Sequence, residues 1–459
     1  MDPELSRGLI DCYFGGRNGQ QLVKHQIDSY NDFISRKLEQ IVEGFNPIDV
    51  CNTYLPEAGC YKYVVSVAMQ NPALSRPLIY EKDGSTKAML PNDARLRNLT
   101  YAAPLSVDIC ITAKTWSPEA REYVADNKRI NAVSLGRVPV MVRSRYCALS
   151  HPNQVPNGMD ECRHDYGGYF VINGSEKVVI SQDRIAENRA YVFLNTKASC
   201  YSHVAEIRSV QEDRFGVPKT LTLKLSSKAN NFGRTVKLCM HHIKHDVPVV
   251  IMFRALGVES DKDIVRYIIQ DEDDPISALL ETELVGCLDE GSSIRTQQAA
   301  QEYLAAHLTL PHHHQQHQQQ HPSDAHRMGV LRSVLRKDLL PHVGQEPLKK
   351  ALYIGHMIGR LMRCYLGLRP LDDRDSYVNK RLDTPGVLIA NLFRQYYGKV
   401  VKDMRTLIQK EINGGSWKAT NKLINVVGKS NVYKLIKPTI IEAGLKYGLA
   451  TGNWGVKTR

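Results

Sequence analysis

The tightest constraint in this sequence is the stretch from Asp165 to Asn188, DYGGYFVINGSEKVVISQDRIAEN. Asn173-Gly174 sits between two apolar runs, Tyr169-Phe170-Val171-Ile172 and Val178-Val179-Ile180. A two-residue hairpin loop needs φ > 0 at both central positions, and Asn-Gly is the pair that supplies it most readily. The spacing predicts strand, tight turn, strand, with Ile172 opposite Ser175 and Phe170 opposite Lys177. Lys177 then shares a strand face with bulky hydrophobes, so its ammonium must reach water or an anion. A surface lysine snorkelling past its neighbours meets that requirement. So does a phosphate contact on a rigid hairpin.

Around this hairpin the apolar periodicity divides the chain. Val23, Ile27, Tyr30, Ile34, Leu38, Ile41 and Phe45 repeat at helical spacing. Short β-prone runs follow at Tyr61 to Val67, Val107 to Thr112 and Val138 to Val142. After about Gln182 the pattern becomes strand-like runs (Ala190 to Phe193, Thr220 to Leu225, Thr235 to Cys239, Val247 to Phe253) and then helical ones. The helical runs are Ile264 to Leu284, Arg295 to Leu308, Met328 to Leu340 and Leu348 to Leu368. Strands followed by helices predict a second α+β unit. The tract Pro311 to Pro322, rich in His and Gln, lacks structural ligand spacing and reads as a disordered loop over 311–326, with metal binding a distant alternative. Past Asp375, Asp383 or Thr384 can cap a helix with Pro385 at its first position, and Asn413-Gly414-Gly415 can stop it. Along that helix Arg394, Lys399, Lys402 and Arg405 lie opposite the apolar face of Ile389, Phe393, Tyr396, Val400, Met404, Leu407 and Ile408.

Charge is unevenly spread. From Phe393 to Arg459 there are thirteen Lys/Arg against three acids, a net of +10 out of +12 for the chain. Such a basic stripe is the footprint of a polyanion partner, although a solvated helix face has the same appearance. Asp271-Glu272-Asp273-Asp274 marks an acidic outer face. No apolar run approaches the roughly 18–20 residues of a membrane helix, and Asp2, Glu4, Arg7 and Asp11 interrupt any secretory signal. The ten cysteines include no C-x-x-C pair, which favours reduced thiols in an intracellular protein over a zinc ribbon.

No phosphate-loop, H-E-x-x-H or G-x-S-x-G motif is present. Asp372-Asp373-Arg374-Asp375 could be a Mg²⁺-holding carboxylate cluster. The interleaved arginine, with Asn379-Lys380-Arg381 following, predicts an internal ion-pair network instead.

Several segments in one order carry a family resemblance. PNDARLRNLTYAAPL (91–105), GGYFVINGSEKVVISQDR (167–184), SHVAEIRS (202–209), VPVVIMFRALG (247–257), DDRD (372–375) with NKRLD (379–383), and ATGNWG (450–455) are similar to the second-largest, β-type subunit of multisubunit DNA-dependent RNA polymerases, of the polymerase II kind. The resemblance implies an α+β architecture of two mixed domains, the second inserted into the first. It divides the chain into an N-terminal extension (1–20), a protrusion domain (21–181 and 378–445), a lobe (182–377) and the start of the fork region (446–459). It also implies nucleic-acid-binding roles for Lys177 and Lys446, and more weakly for Lys457 and Arg459. No catalytic residue is expected in this chain, whose expected work is scaffolding and guiding DNA and the RNA–DNA hybrid. Mg²⁺ belongs to the assembled polymerase, held chiefly by the largest subunit, which is an expected partner with the smaller subunits. The nucleus is the expected location, or a virus factory or virion if the chain is virus-encoded. Thr384-Pro385, where cellular polymerases have Leu-Ala, and an inserted stretch from Asn425 to Ile441 point to a divergent lineage such as that of large DNA viruses. A free-standing nucleic-acid-binding or regulatory protein built from the same domains is the alternative.

Overall fold

The computed structural model describes residues 3–14, 19–55, 60–150, 161–162, 164–195, 199–213, 215–271, 275–309, 324–415, 417, 422–428 and 431–455. The chain forms two compact units, Met1–Asp183 with Leu382–Arg459, and Arg184–Arg381. The crossings thus lie two and four residues beyond the sequence-based boundaries at 181/182 and 377/378.

Unit 1 begins with α1 (Pro3–Phe14), α2 (Lys24–Asp32) and α3 (Leu38–Gly44), the last two joined by a π-turn over Phe33–Lys37. Tyr30, Ile34, Leu38 and Ile41 are buried, as the 3–4 spacing requires, and so are Phe33 and Val42. A π-turn adds a residue to the helical repeat, and neighbours Phe33 and Ile34 both reach the core across it. Then come β1 (Ile48–Leu55), β2 (Cys60–Leu74), β3 (Leu78–Tyr80), β4 (Thr86–Ala88), α4 (Pro91–Leu96), β5 (Ala102–Ser117) and β6 (Glu122–Pro139). Strands β1-β2-β5-β6 form an antiparallel sheet. Its inward side carries Val65, Val67 and Met69 against Ala113, Ile111 and Ile109, the period-2 alternation of a half-buried strand. The hairpin strands β7 (Phe170–Ile172) and β8 (Ser175–Lys177) follow, and β9 (Gln182–Ile185) leads out of the unit.

Unit 2 holds a five-stranded antiparallel sheet of β10 (Ala190–Leu194), β11 (Tyr201–Ser209), β12 (Lys219–Ser226), β13 (Val236–Met240) and β14 (Val247–Pro248). Helices α5 (Val249–Ala255), α6 (Asp261–Ile269), α7 (Ser277–Glu290), α8 (Gln297–Ala306), α9 (Asp324–Lys337) and α10 (Pro347–Tyr365) complete its core. Buried Arg254 ties α5 to the end of α7, donating to the Gly291 carbonyl at 2.5 Å and to that of Ile294, and pairing with Asp261.

The chain returns to unit 1 through β15 (Lys380–Asp383), α11 (Pro385–Gly414), α12 (Val432–Leu435) and α13 (Pro438–Thr451). Thr384 is the N-cap of α11, Pro385 its first residue, and Gly415 ends it at φ 68°. The Thr384 hydroxyl makes no capping bond and meets the Ser29 hydroxyl at 2.5 Å. A Cβ at Gly386 would lie 1.8 Å from the Ser29 carbonyl oxygen, so only glycine lets α2 and α11 approach this closely. Phe393 lies 6.1 Å from Phe33 and is stacked 5.8 Å from Tyr397, which places the returning segment in the core of the first.

Several sequence expectations differ from the structure. Val249 to Phe253 is helix, because a short run buried on all sides has no periodicity to separate strand from helix. Ile264 to Leu284 is two helices, broken where Gln270 takes φ 67° and Pro275 follows. Val178 and Ile180 are exposed beyond the end of β8, and β6 stops at Pro139 short of Val142. Asp324 to His326 begin α9, while residues 311–323 of the expected loop lie outside the described residues. Helix α13 runs without interruption across 445/446, the expected start of the fork.

Candidate nucleic-acid interface

The hairpin has the register its sequence demands: Phe170 opposite Lys177, Val171 opposite Glu176, Ile172 opposite Ser175. Asn173 and Gly174 take φ 51° and 78°. Backbone bonds from Gly174 to Leu99 and from Tyr101 to Val171, both 2.9 Å, stitch it to the Leu99–Tyr101 segment. A Cβ on Gly174 would meet Asn98 Oδ1 at 2.6 Å, so the turn sits hard against that segment. Phe170, Val171 and Ile172 are fully buried, with Tyr30 edge-on to Phe170 at 5.6 Å. Opposed residues of an antiparallel pair point to one face, so Lys177 lies on the side of Phe170. It is half-buried, and among the described residues it has no hydrogen-bond or ion-pair partner.

The adjacent Glu176 points the other way and meets Arg95 Nε at 2.8 Å. Arg95 also reaches Glu161 at 3.2 Å and Asp165 at 3.8 Å, and donates to the Tyr169 hydroxyl at 2.6 Å. Tyr169 in turn donates to Asp165 at 2.5 Å. Burial and that carboxylate raise the Tyr169 pKa, which keeps the hydroxyl protonated. This network fixes the outer side of β8 to α4 and leaves Lys177 alone on the inner side. ARLRNLT stands out in the sequence only for its resemblance, and nothing local marks Arg95 as the hub, because its partners Glu161 and Glu176 lie 66 and 81 residues away.

Lys446 sits on α13, which packs against β6, β7 and α11. Gly136, at φ 121°, makes the approach to β6 possible: a Cβ there would lie 2.5 Å from the Pro438 carbonyl oxygen. Half-buried Lys446 faces a cleft of about 300 Å³ shared with Tyr80, Asn98, Arg137, Asn173 and Glu442. Asn173 is the hairpin turn itself, so the structure brings the elements bearing Lys177 and Lys446 together. Lys457 and Arg459 lie outside the described residues. Of the basic residues on α11, Lys399 and Lys402 are exposed, whereas Arg394 and Arg405 are half-buried, with Arg394 donating to Asn391 at 3.3 Å. The expected four-residue stripe is therefore two exposed lysines.

In unit 2, Asp372 pairs with Arg360 at 2.9 Å and accepts from the Val192 backbone at 2.9 Å. Arg374 lies 4.0 Å from the Phe193 ring centroid instead of joining a carboxylate, and Asp373 accepts from the Asp375 backbone. The ion-pair network is thus centred on Asp372 alone within the DDRD run.

The hairpin and α13 each carry, on one unit, a lysine with no side-chain partner among the described residues, and the wider sequence matches a known family. The profile of the RNA polymerase beta subunit family matches residues 21–431, and the chain belongs to that family. Among its relatives, it is 35% identical to DNA-directed RNA polymerase II subunit 2 of Arabidopsis thaliana, over 97% of this chain and 36% of that protein. It is 34% identical to DNA-directed RNA polymerase II subunit RPB2 of Encephalitozoon cuniculi, over 98% of this chain and 37% of that protein. An archaeal relative, DNA-directed RNA polymerase subunit Rpo2N of Methanothermobacter thermautotrophicus, is 28% identical over 97% of this chain and 81% of its own length. The chain spans little more than a third of the eukaryotic relatives, and the similarity is to the N-terminal part of the second-largest subunit.

Proposed function

We propose that this chain is the protrusion–lobe portion of an RNA polymerase second-largest subunit, unit 1 being the protrusion and unit 2 the lobe. Its work is to scaffold the assembly and to hold the DNA template and the RNA–DNA hybrid by their backbones, while nucleotidyl transfer with Mg²⁺ is done by other parts of the enzyme. The observation that carries this reading is the pair of lysines without an ion-pair partner among the described residues, Lys177 and Lys446, on packed elements of one unit. Backbone contacts of this kind fix register without reading sequence. Lys457 and Arg459 extend the same basic segment. The largest subunit and the smaller polymerase subunits are the proposed partners. The polymerase II names of the plant and microsporidian relatives support a nuclear location. In an assembly reconstituted with the remaining subunits, Lys177→Ala combined with Lys446→Ala should shorten the lifetime of stalled complexes on a template–RNA scaffold, by tenfold or so for two lost phosphate contacts. An unchanged lifetime would reject the two lysines as hybrid contacts.

A further inference from the structure

The cleft beside Lys446 has chemistry that backbone holding does not use. Arg137, Glu442 and Lys446 all line it, yet among the described residues none of the three is in an ion pair. Glu442 and Lys446 are one helical turn apart on α13, the spacing at which such residues ordinarily pair. The Arg137 guanidinium lies 5.9 Å over the Tyr80 ring, which is 59% exposed. Asn98, held at φ 53° against the hairpin turn, adds an amide. Two cations, one of them over the ring of a largely exposed tyrosine, together with one carboxylate and a space of about 300 Å³ describe a site for a single nucleotide.

We propose that this cleft takes one unpaired nucleotide, with its base on Tyr80, its phosphate between Arg137 and Lys446, and its edge hydrogen-bonded to Glu442. The proposal rests on the nucleic-acid reading of unit 1. A carboxylate is an acceptor only, so Glu442 favours a base that offers N–H donors. Guanine offers two on one edge, its N1–H and exocyclic amine, to the two carboxylate oxygens; uracil offers a single N3–H flanked by carbonyl oxygens that repel the carboxylate. Stacking on Tyr80 is indifferent to base identity, so the preference resides in Glu442.

Calorimetric titration of the full chain with GMP, UMP and inorganic phosphate tests this. GMP should bind most tightly. Glu442→Gln should weaken GMP about tenfold, as expected for losing a bidentate edge contact, and leave UMP unchanged; Tyr80→Ala should weaken both nucleotides and leave phosphate unchanged. Both side chains line the cleft and neither is buried in the core, so these variants keep the core intact. Equal affinities for GMP, UMP and phosphate, absence of GMP binding at ~10 mM, or a Glu442→Gln variant that binds GMP normally would each overturn the proposal. GMP binding that survives in Lys177→Ala, whatever that variant does to hybrid retention, supports a nucleotide cleft independent of the backbone contact. Loss of hybrid retention in the double lysine variant without GMP binding in the parent leaves the backbone reading standing and removes the cleft.

Discussion

Lys177 and Glu176 are neighbours in sequence with opposite situations. Glu176 is committed to a charged network and Lys177 has no ion-pair partner among the described residues, because adjacent strand residues face opposite ways. Arg95 enforces that division. Arg95→Ala removes hydrogen bonds to two carboxylates and a phenol, and should lower stability by about 2 kcal/mol, the usual size for lost bonds to a charged group. The hairpin amides should also exchange faster with solvent. A urea midpoint and hairpin exchange both equal to the parent's would show that Arg95 does not hold the strand. At this scale the sequence was legible where local geometry decides: Asn173-Gly174 fixed the turn and, through it, the partner of Lys177. It was silent on Arg95, whose partners Glu161 and Glu176 are 66 and 81 residues away and set by tertiary packing.

At the scale of elements, the strongest chemical oddity is Lys350 on α10, fully buried with its ammonium donating to the carbonyls of Leu335 and Arg336 at 2.7 Å each. Those carbonyls belong to the last turn of α9, which have no partners within the helix, so the cation satisfies them and opposes the negative end of the helix dipole. Burial lowers the Lys350 pKa from 10.5 to about 8. The unfolded chain therefore holds more protons at this site between those two values, and the contribution to stability rises with pH across that window. Below about pH 8 the full cost of the buried charge is present. The stability difference between the parent and Lys350→Met, measured by urea unfolding, should thus shift toward the parent from pH 7.5 to 9.5. A difference independent of pH would contradict the account. Element types were readable where one face is buried, as in β2, β5 and α11. They were misread where burial is complete, as in α5, since a segment apolar on every side leaves no alternation to count.

The whole molecule is a unit interrupted by another, with the returning segment Leu382–Arg459 belonging to the first unit and adding Phe393 and Tyr397 to its core. The sequence shows composition shifts near 182 and 378, where one core-forming pattern gives way to another, and the compact units meet at 183/184 and 381/382. The cleft was not legible. Tyr80, Arg137 and Glu442 come from three distant segments and become neighbours only when α13 lands on Gly136. Phosphate contacts release condensed counterions, so each lysine that makes one adds about 0.7–0.9 to the dependence of log affinity on log salt concentration. The decisive measurement is the affinity of the full chain for an RNA–DNA hybrid of arbitrary sequence, taken across a range of salt concentrations, for the parent and for Lys177→Ala with Lys446→Ala. The variant should bind more weakly, whatever the sequence, with a slope shallower by roughly 1.5. Identical slopes for the two proteins would contradict it.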